Sequence, residues 1–185
     1  MPVVTLDALH TQAETARHLA GDKKAHYLMI VKGNQPALPA TAERALVGPD
    51  EDFADTTWTE ENTGHGRRER RSIRTASADG IAWPHAGQIF RIRRDSGPTR
   101  GPWTHKEIAF GITSLPGAVA GPRHLSIYAR NHWSIENREH YVRDKTFGED
   151  LQQIRTGNQP NAYAAIRNLV TGAFRRAGYA SGGGR

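Results

Sequence analysis

The first 46 residues alternate two apolar, β-branched runs with two segments that carry helix signals, and this alternation constrains the fold more than any other feature. Val3 to Leu6 (V-V-T-L) reads as a short buried strand ending at Asp7. Thr11-Gln12-Ala13-Glu14 has capping-box spacing, in which the Thr11 hydroxyl and the Glu14 carboxylate satisfy the first free amides of a helix. That helix is expected to run to about Ala20 and stop at Gly21. His26 to Val31 reads as a second buried strand, followed by the turn Lys32-Gly33-Asn34-Gln35-Pro36. Pro36 to Leu46 contains a helix with Pro39 in its first turn. Strand, helix, strand, helix at this spacing predicts an α/β fold.

Beyond residue 48 the pattern changes. Gly48 to Asp55 is acidic and unpatterned, a natural boundary with no expected structure. Short strand-like pieces follow at Thr57–Thr59, Glu69–Thr75, Gln88–Arg94 and Lys106–Thr113, with Gly97, Pro98, Gly101 and Pro102 marking the last connection. This reads as a β-rich insert. Two helices are expected after it, from about Arg123 to Arg143 and from about Asn161 to Ala177, before a glycine-rich flexible tail. The expected division is therefore 1–48, an α/β part; 49–121, the insert; 122–178, the helices; and 179–185, the tail.

Composition narrows the partners. The chain has 185 residues and 25 basic against 19 acidic side chains, a formal net charge of +6. The first 60 residues are net acidic, so the basic surplus lies wholly in the remainder, densest at Gly66-Arg67-Arg68-Glu69-Arg70-Arg71. A polyanion is the default partner of such a lobe, because guanidinium binds phosphate oxygens in a two-pronged fashion. If Gln88 to Arg94 is a strand, Ile89, Arg91 and Arg93 share one face and Phe90, Ile92 and Arg94 the other. A solvated strand face is the competing reading of these arginines. The absence of cysteine removes disulfides, thiolate metal sites and cysteine nucleophiles. The N-terminus lacks signal-peptide features and no apolar run is long enough for a membrane helix, so a soluble, intracellular protein is expected.

Two constellations can carry chemistry. Asp7 stands at the C-terminal end of a buried strand, where α/β folds place reacting groups, though a turn aspartate fits the same position. Glu136, His140 and Asp144 are spaced to share one helix face, as ligands of a divalent ion or as a polar solvent-facing stripe. His65-Gly66-Arg67 fits a phosphate-binding turn or a hairpin tip. Lys32-Gly33-Asn34-Gln35 is not a Walker loop, and no serine-hydrolase, zincin or dinucleotide motif is present.

Taken in order, V-V-T-L-D-A-L-H-T-Q (Val3–Gln12), V-K-G-N-Q-P (Val31–Pro36), H-G-R-R-E-R-R (His65–Arg71), I-T-S-L-P (Ile112–Pro116), N-H-W-S-I-E-N (Asn131–Asn137) and F-G-E-D (Phe147–Asp150) resemble bacterial insertion-sequence transposases of the ISAs type, the H-repeat-associated group. The resemblance covers roughly residues 3–178. It implies the DDE superfamily, an RNase H-like fold, and metal-dependent cleavage and strand transfer of DNA at insertion-sequence ends and target. On that resemblance Asp7 matches the second catalytic aspartate and Glu136 the catalytic glutamate on the helix after the insert, and both would be ligands of a two-magnesium site. Asn137, His140 and Asp144 are candidates beside that site. Lys32, His65, Arg67, Arg68, Arg70, Arg71, Arg91, Arg93 and Arg130 are candidates for DNA contact. The location implied is the bacterial cytoplasm, at the nucleoid.

The resemblance also implies a first catalytic aspartate well upstream, in a D-G-K-type segment. Only six residues precede Asp7 and none is acidic. The expectation is thus a truncated RNase H-like fold that lacks the first metal ligand, is inactive on its own and is prone to self-association through the strand at Val3–Leu6. Asp144 and Asp150 are the substitute ligands if it is active. The alternative is a catalytically inactive DNA-binding remnant of a transposase.

Overall fold

The computed structural model describes residues 1–135 except Asn34, Pro36 and His65, together with Leu169. Strands β1 (Val3–Leu6) and β2 (His26–Val31) fall where the apolar runs predict them. They pair in parallel, with Leu6 opposite Met29. Residues Tyr27 to Val31 are all buried, so β2 needs cover on both faces of the sheet. A parallel pair also needs a crossover connection. It is built from a 3₁₀ turn (Ala8–His10), helix α1 (Ala13–Arg17) and a π-type turn (His18–Asp22) that prolongs it. Helix α2 (Ala37–Leu46) follows β2.

The acidic stretch expected to be structureless instead forms a kinked 3₁₀ segment, Asp50–Thr56, that leads into the next strand. Its order has a physical cause: the buried Arg74 guanidinium pairs with Asp50 and donates to the carbonyls of Leu46 and Gly48, each at 3.1 Å.

An antiparallel meander then runs through β3 (Thr57–Gly64), β4 (Arg67–Ser77), β5 (Gln88–Pro98) and β6 (His105–Thr113). Its last strand inserts between β5 and β2, which makes a single six-stranded sheet in the order β1-β2-β6-β5-β4-β3. The strands are longer than the apolar pattern implied. Opposite charges sit directly across the ladders: Glu60 from Arg71, Arg70 from Asp95, and Arg94 from Glu107. Such facing pairs favour strand structure where hydrophobic alternation has run out.

One face of the sheet is closed by α1 and α2. Ala16, Ala42 and Leu46 pack there on Tyr27, Met29, Val31, Ile89 and Ile112. Helix α3 (Pro122–Ile135) lies against the other face, where its Arg130 pairs with Glu60 at 3.0 Å and its Arg123 stacks on Trp58. Its Leu125 and Ala129, four apart, are buried. On that face Phe90 lies over Gly111, its partner on β6, so closely that a Cβ there would meet the ring at 2.0 Å.

The I-T-S-L-P segment turns out to be stitching. Thr113 Oγ1 donates to the Tyr27 carbonyl at 2.6 Å, and the Ser114 hydroxyl accepts from the Tyr27 amide at 3.0 Å. The Leu115 carbonyl accepts from buried Gln88 at 2.8 Å. The described residues up to His132 form one compact unit. No helix among the described residues is long and apolar enough to cross a membrane. The expected helix at 161–177 lies outside the described residues, apart from the helical, exposed Leu169.

Candidate active site and basic sheet face

Asp7 follows β1 directly and is half-buried. Its extended backbone makes it the N-cap of the 3₁₀ turn, with the His10 amide donating to Oδ1 at 3.3 Å. The second carboxylate oxygen makes no hydrogen bond among the described residues. The residue thus caps a turn and keeps one carboxylate oxygen without a hydrogen bond at a strand end.

Thr11 does something the capping-box reading missed. Helix α1 starts two residues later, with Gln12 as its N-cap and no side-chain capping bond. The Thr11 side chain is fully buried and donates to the Ile30 carbonyl at 2.6 Å, with the Asp7 carbonyl 3.1 Å away. It ties the turn after β1 to the end of β2. Gln35 reinforces the tie, its Nε2 donating to the Thr11 carbonyl and to Gln12 Oε1, each at 3.2 Å. Two motifs far apart in sequence, Val3–Gln12 and Val31–Pro36, thus meet at the C-terminal ends of adjacent parallel strands, where open α/β sheets bind ligands. Lys32 stands exposed beside them, just after β2. Nothing in the sequence assigns Thr11 and Gln35 this role, because an S/T-x-x-E pattern reads first as a cap.

Among the described residues no three potential ligands converge as a metal-binding group. Asp7 offers one hard oxygen donor of the kind a divalent magnesium ion prefers. Glu136, Asn137, His140 and Asp144 lie outside the described residues, as does His65.

The basic candidates divide by what already holds them. Arg71 pairs with Glu69 at 2.8 Å and faces Glu60 at 3.8 Å. Arg70 and Arg93 share the buried Asp95, at 3.2 and 2.9 Å. Burial alone would raise the Asp95 carboxyl, but hydrogen bonds from Arg93 and Arg70, with their charges, outweigh it and hold the group below the usual carboxylate range. Arg68 stacks on Trp103, 4.1 Å from the ring centre, and donates to the Gly101 carbonyl. Arg130 is held by Glu60. Three candidates have no such partner among the described residues: Lys32, exposed after β2, Arg67, exposed beside the β3–β4 turn, and Arg91 in the middle of β5.

Residues 1–171 match the family described as the transposase DDE domain. The chain belongs to the DDE transposase family. The Escherichia coli O157:H7 protein named "Putative transposase YncI" is 27% identical over 185 residues, an alignment that takes in 94% of this chain and 45% of that protein. The chain thus spans less than half the length of the curated relative it matches. DDE transposase domains generally use divalent metal ions, and the family implies a nucleic-acid-processing enzyme. The matched span of this DDE transposase chain includes both Asp7 and Glu136.

Proposed function

We propose that the chain supplies Asp7 and Glu136 as magnesium ligands to the active site of a DDE transposase of the H-repeat-associated group, an enzyme that acts on DNA phosphodiesters. The observation that carries this reading is Asp7 itself, a half-buried carboxylate with one uncommitted oxygen at the end of a parallel strand, inside the matched family span. The parallel β1–β2 pair with its helical crossover is compatible with an RNase H-like core. When bound, a pair of divalent ions would activate the attacking oxygen and stabilise the leaving one. The protein's part is positional. Thr11 and Gln35 fix the turn that carries Asp7, and the basic sheet supplies electrostatic attraction to the DNA backbone. The site of action is the nucleoid of a bacterial cytoplasm. The outer edge of β1 has no pairing strand among the described residues, which leaves it open to a further strand or a second copy.

Asp7 and Glu136 alone leave a two-metal site short of protein ligands, so residues 1–185 by themselves are expected to bind DNA without cutting it. Manganese titration followed by electron paramagnetic resonance, on the wild-type chain, Asp7→Asn and Glu136→Gln, tests the ligands. Weak binding that each substitution weakens further supports them; affinity unchanged in both removes Asp7 and Glu136 from the metal site. A duplex-cleavage assay with magnesium or manganese is expected to show no product. Robust cleavage abolished by Glu136→Ala would transfer the missing ligand role to Asp144 or Asp150.

A further inference from the structure

The face of β3, β4 and β5 beside the Asp50–Thr56 segment encloses a cavity of about 390 Å³. Four arginines and two aspartates line it, a surplus of two positive charges. Three of the guanidiniums are answered internally, although the Arg74 Nε is itself buried without a partner. Arg74 is spent on Asp50 and two backbone carbonyls, while Arg70 and Arg93 are spent on Asp95. Arg91 is not. It has no hydrogen bond or ion pair among the described residues, and its Nε is buried. Burial first, then the charges of Arg74 and Arg93, pull its pKa down, and only the exposed Asp50 works the other way. The protein therefore keeps a cation where its own surroundings disfavour charge.

A second orphan lies in the same wall. Thr57 lines the cavity, and its hydroxyl is buried with no hydrogen-bond partner. The sheet register explains why the two belong together, since Thr57, Arg74 and Arg91 stand in one row across three strands. Buried donors without acceptors are costly, and native proteins rarely keep two in one place without a ligand or water to answer them. Here both donors belong to residues that line a cavity whose surplus charge equals that of a doubly ionised oxyanion.

We propose that this cavity is a phosphate-binding site, in which Arg91 and Thr57 donate to the oxygens of one phosphate group while Arg74, Arg70 and Arg93 supply the surrounding field. Phosphate fits better than a carboxylate because its oxygens accept from several directions and it can carry both negative charges. The site is separate from the strand ends that carry Asp7, and it stands whether or not Asp7 binds metal. The phosphate can come from a DNA backbone or from a free small molecule.

Thermal melting of the 185-residue chain in sodium phosphate, against sodium chloride at matched ionic strength and pH, tests the site. Phosphate is expected to raise Tm saturably and chloride is not. Arg91→Gln removes the unpaired charge and is expected to melt at or above the wild-type temperature without phosphate, while losing the phosphate response. Thr57→Val keeps shape, removes the hydroxyl and is expected to weaken phosphate binding at least tenfold; it carries the test if Arg91→Gln fails to fold. Duplex titration then separates the sources. If the site holds DNA backbone, Arg91→Gln lowers duplex affinity severalfold and phosphate competes with DNA. If it holds a free phosphate compound, Arg91→Gln leaves duplex affinity unchanged while the phosphate response is still lost. A wild-type response to phosphate no larger than to chloride, or a response kept in both variants, overturns the proposal.

Discussion

Gly111→Ala offers a sharp test of how the sheet is packed. Glycine in a strand interior normally costs roughly 0.5–1 kcal/mol relative to alanine through backbone entropy, so propensity alone makes this substitution stabilising. The structure predicts the opposite sign. A Cβ on residue 111 would lie 2.0, 2.4 and 2.7 Å from three carbons of the Phe90 ring. Carbon atoms in contact prefer about 3.5–4.0 Å, so the ring must retreat by roughly 1.5 Å. Phe90 is fully buried and has no solvent to retreat into. Overpacking of this kind costs about 1–3 kcal/mol, with the upper end expected here because the obstacle is a rigid ring. Urea unfolding with linear extrapolation measures it. The decisive measurement is the double mutant with Phe90→Ala. That truncation alone costs about 3–5 kcal/mol, and once the ring is gone the added methyl should cost nothing more. Additive losses in the double mutant, or a neutral Gly111→Ala, would refute the packing argument.

Two further outcomes follow from the charge pairs. Asp95 has a folded pKa below its unfolded value, so its stabilisation is present above the ordinary carboxylate pKa of about 3.9 and is lost as pH falls through the lower folded value. Asp95→Asn should cost about 2 kcal/mol at pH 7, less than for a wholly buried pair because Arg70 and Arg93 are each about one-third exposed. The gap to wild type should close below about pH 4 in urea melts, and a gap constant down to the acid limit would contradict the assignment. In duplex binding, Arg67→Ala should reduce affinity and lower the salt slope by about one, whereas Arg71→Ala, whose charge is committed to Glu69 and Glu60, should change stability more than slope. The reverse ranking in a fluorescence-anisotropy salt series would show that DNA approaches another face.

What could be read ahead of the structure follows the physics of each segment. β1 and β2 were legible to the residue because short unbroken apolar runs bounded by polar and turn residues have few alternatives at that length. β4 was legible only in part. Arg67 to Arg71 look like a solvated charge run, and what makes them strand is a cross-strand register that no local pattern contains. The same register hid the internal commitments of Arg70, Arg71 and Arg93, which separate them from Arg67 and Arg91. Asp7 could be placed at a strand end from sequence alone. The Thr11 tie could not, because its acceptor, Ile30, lies 19 residues away.

The place of β6 in the sheet has a consequence for how the chain acquires its shape. The meander from β3 to β5 closes through a two-residue turn and a ten-residue connection, so its ladders form from near neighbours. The strand carrying Asp7 pairs with β2, and β2 is joined to everything else through β6, with Thr113 reaching the Tyr27 carbonyl across 86 positions. Closing that span is the entropically expensive and slow event. On this connectivity Asp7 is expected to be fixed in space only once β6 has docked on β2. Until β6 docks, the β6-facing edge of β2 is an exposed apolar edge. Among the described strands β6 is thus the one bridge between the basic surface and the candidate catalytic one.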